Sequence, residues 1–444
     1  MQVTETAATG LKREYRVVVP ATDLEARVNE RLDDLKGRVQ LRGFRPGKVP
    51  VSHLKRIYGK AAMAEVIEAA VREANSKIVT DHGYKLATEP KVVPEEGAVE
   101  EVIAGKADLA YTVEIEIVPP ITLTDFKTIK LQRLSAEVTD AEIDEALQKI
   151  AEQNRPFAAK TEGADKGDRV TVSFQGTIDG KPFEGGSGEG AAVLLGSGQF
   201  IPGFEDNLIG IKAGESRTFD VKFPEAYPAP AVAGKAATFA VTASAVEAPS
   251  AVTMNDDFAK TLGLESLAKL REAVSERLQR EHAAVSRQKL KRELLDQLDE
   301  RHKFEPPPSL VEQEFNSVWT TIEGDLKAQN RSFADEGTTE EKARAEYRAI
   351  SERRVRLGLV IAEIGERNNI KVTDEQLTAA VVERARQLPG QEQQVWDYYR
   401  NNPGALAALR APLFEEKVVD FLLELAQITD KPVSRDELFK EDEE

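Results

Sequence analysis

The chain has 444 residues, 41% of them hydrophobic and 31% charged, with a formal net charge of −17 from 77 Asp and Glu against 60 Lys and Arg. The length suggests about three domains, and the composition fits a soluble globular protein whose acidic surface argues against general coating of nucleic acid. The absence of cysteine excludes disulfides, thiol catalysis and thiolate metal sites, and the four histidines, His53, His82, His282 and His302, share no ligand spacing, so no metal and no cofactor is expected. No apolar run is long enough to predict a membrane span, and "MQVTETAATGLKREYRV" lacks the basic-then-apolar order of a secretory signal. A cytoplasmic location without membrane attachment is therefore expected.

Taken in chain order, the first zone reads α+β. "YRVVVP" predicts a short strand. Thr22 and Asp23 offer an N-cap to a helix whose apolar stripe is Leu24, Val28, Leu32, Leu35 and Val39. A Gly/Pro-punctuated loop follows, and a second helix is expected from about Lys60 to Asp81, with Val66, Ile67, Ala70, Val71 and Ile78 inward. "DLAYTVEIEIVP" alternates at period two, a strand with one buried face. Residues from Pro119 read as an extended connector and then one helix, about Thr139 to Gln153.

From Phe157 to Glu247 the pattern changes to short strand-like runs and turns. "TIDGKPF" places an Asp-Gly pair between two such runs, a strong hairpin signal. The glycine-rich "EGGSGEG" lacks phosphate-loop spacing and is not followed by a helix pattern, so it reads as a flexible flap. From Asp256 onward no strand signal remains. A long helix ends at "EPPPS", a second carries Leu310, Phe315, Val318, Trp319, Ile322 and Leu326, and a third spans roughly Glu340 to Asn369. Thr373 and Gln376 in "VTDEQL" form a capping box opening a fourth, and "PLFEEKVVDFLLELA" is a fifth, before the acidic "DELFKEDEE".

One segment departs from the acidic balance. Between Lys36 and Lys60 there is no acid, while Lys36, Arg38, Arg42, Arg45, Lys48, Lys55, Arg56 and Lys60 are basic. Gly43, Pro46, Gly47 and Pro50 shape an exposed turn there. Phe44 offers an apolar knob, and Arg42, Arg45 and Lys48 can reach phosphates or carboxylates.

The middle zone contains "VSFQG" (Val172 to Gly176), "DGKPFEGG", "LLG", "FIPGFED" and "KAGE" in that order. Together these resemble an FKBP-type peptidyl-prolyl cis-trans isomerase. The resemblance implies a shallow aromatic pocket for a prolyl peptide, with no covalent chemistry. Phe204 would be its floor, Phe174, Phe183, Ile201, Tyr227 and Phe239 its walls, and Glu184 a polar group at the rim. Phe174 stands where that family often has Tyr, Phe204 where many members have Trp, and "EAYPAPAVAG" is shorter than the usual loop.

With an α+β zone before and a helical zone after, "GFRPGKVP" (Gly43 to Pro50) is similar to the ribosome-docking signature of bacterial trigger factor, though Pro46 stands where some members have Lys. The fold implied is multidomain α+β: an N-terminal α+β docking domain over 1–118, a connector over 119–156 whose helix packs with the C-terminal body, an FKBP-like antiparallel β domain with a short helix over 157–247, and an extended all-α body over 248–444. The implied function is an ATP-independent chaperone with prolyl isomerase activity, serving folding and export. Its partners would be the large ribosomal subunit (exit-tunnel protein and rRNA), through Arg42, Gly43, Phe44, Arg45, Pro46, Gly47, Lys48 and Pro50, and nascent or unfolded polypeptides. Apolar residues of the long helices, among them Leu267, Leu270, Val274, Leu278, Phe315, Trp319, Val360, Phe414, Phe421 and Leu422, exceed what one compact layer would bury, so exposed client-binding patches are expected. Homodimerisation off the ribosome stays open, as do a non-ribosomal prolyl isomerase and a non-enzymatic binding scaffold.

Overall fold

The computed structural model describes every residue except 38–43, 45–48, 96–98, 225, 226, 228, 230, 231, 330 and 442–444. The chain divides into two compact units, Met1–Arg133 with Gln288–Asp430, and Leu134–Arg287 with Lys431–Glu444.

The N-terminal stretch contains β1 (Gln2–Thr9), β2 (Lys12–Val19), α1 (Ala21–Lys36), α2 (Val51–His82), β3 (Lys91–Pro94), α3 (Val99–Ile103) and β4 (Leu109–Glu116). Its strands form one antiparallel sheet in the order β1-β2-β4-β3. The alternation read in the sequence places Tyr111, Val113 and Ile115 of β4 in one core with Tyr15, Val17 and Val19 of β2. Leu24, Val28 and Leu32 of α1 and Val66, Ala70 and Ile78 of α2 complete it.

Two helix starts differ from expectation. The N-cap of α1 is Pro20, not Thr22 or Asp23, and Asp23 lies in the first turn, where its charge suits the helix dipole. The second helix begins at Val51, well ahead of Lys60, after Pro50 as its N-cap. Leu54 in that early turn is fully buried, which ties the helix start to the core. β1 gave no sequence signal because only the half-buried Val3 packs against the core; the rest of the strand is exposed and engages through backbone pairing with β2.

β5 (Lys130–Ser135) and α4 (Asp140–Gln153) follow, and Thr139 with Glu142 forms a capping box on α4. The next strands are β6 (Phe157–Ala159), β7 (Arg169–Ile178), β8 (Lys181–Leu194), β9 (Ser216–Lys222) and β10 (Ala236–Pro249). They make an antiparallel sheet ordered β6-β10-β7-β8, with β9 also on β10. Asp179 and Gly180 join β7 to β8 with φ of 51° and 75°, the paired left-handed conformation that matches strand twist. The short helix of this region is a 3-10 turn, Asp206–Leu208. The expected flap is instead strand: "EGGSGEG" lies within β8 and pairs with β7.

The remaining elements are α5 (Asp256–Thr261), α6 (Leu267–Arg301), α7 (Pro308–Ala328), α8 (Glu340–Arg367), α9 (Asp374–Arg386), α10 (Glu392–Asn401), α11 (Pro403–Leu425), β11 (Gln427–Pro432) and α12 (Arg435–Phe439). The boundary between the units falls inside β5, α6 and β11. The expectation of no further strand is corrected by β11, which pairs with β5, the Gln427 N–H donating to the Ile129 carbonyl at 2.9 Å. β11 has one half-buried side chain and no alternation, so only its distant partner reveals it.

In the first unit, Leu290, Leu294 and Leu298 of α6 pack with Val360 and Ile364 of α8, Val418 and Leu422 of α11, and Ile129 and Leu131. In the second, Ile143, Leu147 and Ala151 of α4 pack on Phe258 of α5 and on Leu270, Val274 and Leu278 of α6. The connector helix thus packs on the first part of the C-terminal segment, α5 and the start of α6.

Candidate functional site

The β region builds a cavity of about 530 Å³ on one side of its sheet. Val170, Val172 and Phe174 share a face of β7, and Ala237, Phe239 and Val241 share a face of β10, so strand periodicity aims Phe174 and Phe239 at one core. Phe183 and Glu184 come from the start of β8, Ile201 and Phe204 from the turn after it, and Tyr227 from the segment between β9 and β10. All seven residues expected at the pocket line this cavity.

Phe204 is 1% exposed and organises the rings. It meets Phe174, Phe219 and Phe239 edge-on at centroid distances of 5.9, 5.4 and 5.3 Å, and stacks on Phe200 at 5.2 Å. Phe183 contacts Phe223 and Phe239 edge-on, and Phe223 contacts Tyr227 at 4.9 Å. Edge-to-face pairs of this kind are favourable beyond simple burial and fix ring orientation. Glu184 is exposed at the rim.

Sequence reasoning missed Gln199, Phe200, Pro202, Phe223, Pro224, Ala229 and Val232, which also line the cavity. Phe200 sits inside a quoted motif, but nothing in it separates a wall from a spacer. The purpose of the glycines was missed as well. A Cβ at Gly176 would lie 2.6 Å from the Phe239 ring, and one at Gly186 or Gly188 would lie 2.9 Å from Phe183 or Phe174. The edges of the wall rings approach strand backbone at positions that have no side chain.

The basic segment is only partly described. Arg42, Gly43, Arg45, Pro46, Gly47 and Lys48 lie outside the described residues, as does Val39 of the α1 stripe. Phe44 is exposed, its ring 5.0 Å from that of His53, and Pro50 caps α2. Lys55 is engaged within the fold, donating to Glu25 at 2.6 Å.

The apolar residues proposed from sequence as client patches are mostly core: Leu270, Val274, Leu278, Phe315, Trp319, Val360 and Leu422 are buried, and Leu267, Phe414 and Phe421 are half-buried. Among the described residues of the helical region, the exposed large apolar side chains are instead Met254, Leu388, Trp396, Tyr398 and Phe439, with Leu388, Trp396 and Tyr398 close together in sequence.

Three family models match consecutive parts of the chain: bacterial trigger factor protein over residues 1–150, FKBP-type peptidyl-prolyl cis-trans isomerase over 160–244, and bacterial trigger factor C-terminus over 266–424. The chain is 62% identical to the trigger factor of Azorhizobium caulinodans and 62% identical to that of Xanthobacter autotrophicus, each alignment covering 100% of this chain and 99% of the relative. The chain belongs to the trigger factor family.

The trigger factor of Afipia carboxidovorans is 58% identical over 100% of this chain and 99% of its own length. A solved structure described as "Promiscuous Substrate Recognition in Folding and Assembly Activities of the Trigger Factor Chaperone" shares the fold at a TM-score of 0.57 and 19% identity, covering 96% of this chain and 99% of that one. This trigger factor family chaperone therefore carries an FKBP-type peptidyl-prolyl isomerase domain, and the cavity lies within it. No helix among the described residues is long and apolar enough to cross a membrane.

Proposed function

We propose that the chain is an ATP-independent chaperone that docks at the exit tunnel of the large ribosomal subunit, holds nascent and unfolded polypeptides, and isomerises their X–Pro bonds in the phenylalanine-lined cavity. In this reading residues 1–118 dock, 157–247 catalyse, and 248–444 with the connector helix hold clients in the cytoplasm. The observation that carries the catalytic part is the convergence of Phe174, Phe183, Glu184, Ile201, Phe204, Tyr227 and Phe239 on one cavity.

Rotation about X–Pro has a barrier of roughly 18–20 kcal/mol because amide resonance is lost on the way. A twisted amide is less dipolar than a planar one. A site lined mainly by phenyl rings, with Glu184, Gln199 and the Tyr227 hydroxyl as its polar side-chain groups, disfavours the planar ground state relative to the twisted one. Phe204 supports the prolyl ring, and no proton or bond is exchanged.

Docking is supported by an acid-free basic run in a chain of net charge −17 and by the exposed Phe44 at its centre. Leu388, Trp396 and Tyr398 are the apolar surface offered to clients. In the full chain, Phe44→Ala combined with Arg45→Ala should abolish co-sedimentation with ribosomes and leave isomerase activity on a short X–Pro peptide unchanged. Wild-type binding should weaken as salt rises, because part of it is phosphate contact. Wild-type ribosome occupancy by the double variant defeats the docking assignment.

A further inference from the structure

The cavity wall formed by Gln199, Phe200 and Ile201 belongs to no strand or helix, so something other than a ladder must fix it. The backbone donors of the preceding turn converge on one carboxylate. Glu205 Oε2 accepts from the N–H groups of Gly196 at 2.8 Å and Gly198 at 3.1 Å, while Oε1 accepts from the Ser197 hydroxyl at 3.1 Å and the Phe200 N–H at 3.2 Å. Gly196 and Gly198 hold φ of 86° and 71°, left-handed conformations that turn alternate N–H groups toward the same side, as in an anion-binding nest. The Ser197 oxygen also accepts from the Gln199 N–H at 3.3 Å, carrying the network to the wall itself.

Glu205 is 7% exposed and is not part of the cavity lining. Burial pushes its carboxyl up, but the hydrogen bonds from Gly198, Phe200, Ser197 and Gly196 outweigh that and hold it below the usual carboxylate range. Charge-assisted bonds to a buried anion are the strong kind. Glu205 follows directly on Phe204, so the floor ring and the anchor of the wall are adjacent in sequence.

We infer that Glu205 is a positioning residue for the isomerase reaction: its carboxylate, holding the turn over residues 196–200, sets Gln199, Phe200 and Ile201 against the prolyl substrate. The inference rests on the reading that the substrate binds in this cavity. The test is Glu205→Gln in the full chain, with kcat and KM measured separately on a short X–Pro peptide. Glutamine keeps the shape, yet its amide nitrogen places donors against the donors of the turn and leaves a single accepting oxygen. A misplaced wall weakens substrate binding, so kcat/KM should fall about tenfold with most of the loss in KM, within the range known for displaced site groups. A partly unfolded domain would lower kcat with KM unchanged, and that result, or wild-type values for both constants, overturns the inference. If Glu205→Gln does not fold, Ser197→Ala decides: loss of its hydroxyl should raise KM roughly two- to threefold, the effect of one hydrogen bond, and a wild-type KM overturns the inference. Phe204→Leu is assayed alongside. If it too has wild-type constants, the cavity reading falls and takes this inference with it; if it is impaired while Glu205→Gln is not, the positioning role alone falls.

Discussion

The β region and the helical region of the chain fill their cores by different means. In the β region the core holds rigid rings, with Phe204 meeting Phe174, Phe219 and Phe239 at steep angles and Phe200 face to face. In the helical region α6, α8 and α11 interleave Leu294, Leu298, Val360, Ile364, Val418 and Leu422, all fully buried. Branched aliphatic side chains have the freedom to close gaps between helices. Planar rings held edge-to-face cannot, and a cavity of about 530 Å³ is left over them. The same packing that stabilises the small domain therefore leaves the cavity open.

The largest effect expected from breaking this contrast is Phe204→Ala. It removes the floor and the ring that three others lean on, so isomerase activity on an X–Pro peptide should be lost. The small domain should be destabilised by roughly 3–5 kcal/mol, the usual range for a core Phe. Both tryptophans, Trp319 in α7 and Trp396 in α10, lie in the helical region, so their fluorescence reports its unfolding separately. That signal should be unchanged in Phe204→Ala.

Leu298→Ala tests the other side. Leu298 is completely buried between helices, and the loss should be about 2–5 kcal/mol in the tryptophan-reported transition. Isomerase activity should stay at the wild-type level. A parallel loss of activity would show that the aliphatic core also shapes the cavity.

What the sequence revealed of these regions follows the range of the interactions involved. The Asp179–Gly180 turn, the alternation of Tyr111, Val113 and Ile115, and the Thr373–Gln376 capping box are local, each set by residues within a few positions. All were legible. The pairing of β5 with β11 joins residues about three hundred positions apart and leaves almost no side-chain pattern in either strand. The cavity was legible through its motifs, because Phe174, Phe183, Ile201 and Phe204 stand inside them. Phe223 and Val232 were not, since an apolar residue beside a turn reads the same whether it lines a wall or fills a core. Glu205 stands inside a quoted motif as well, but nothing in the sequence assigns it a role, and only its four donors distinguish it.

A smaller and sharper test is Gly188→Ala. The added methyl would sit 2.9 Å from the Phe174 ring and push it off its position over β8. Overpacking of this kind typically costs about 1–3 kcal/mol. Because Phe174 is a wall, activity should fall by more than the change in folded fraction. If activity follows the folded fraction alone, the ring is packing and not part of the site.

The smallest effect separates the two regions by how each holds a carboxylate withdrawn from solvent, Glu205 buried and Asp299 half-buried. Glu205 in the β region is held by backbone amides and a hydroxyl. Asp299 in α6 is held by cations: burial raises its pKa, but Lys303 at 2.9 Å and Arg356 at 2.5 Å outweigh that and leave it below the usual range. A carboxylate depressed in the folded state adds stability above its unfolded pKa, about 3.9 for Asp and 4.3 for Glu, and that stability is lost as pH falls through the folded value. The urea midpoint read from tryptophan fluorescence should therefore drop between pH 5 and pH 3, and drop less steeply in Asp299→Asn. Glu205→Gln should leave that curve untouched. In guanidinium chloride the ionic denaturant screens the contacts of Asp299, so wild type and Asp299→Asn should lie closer together than in urea. Parallel pH curves for wild type and Asp299→Asn in urea would mean that the cation-held carboxylate contributes nothing to the stability of the helical region.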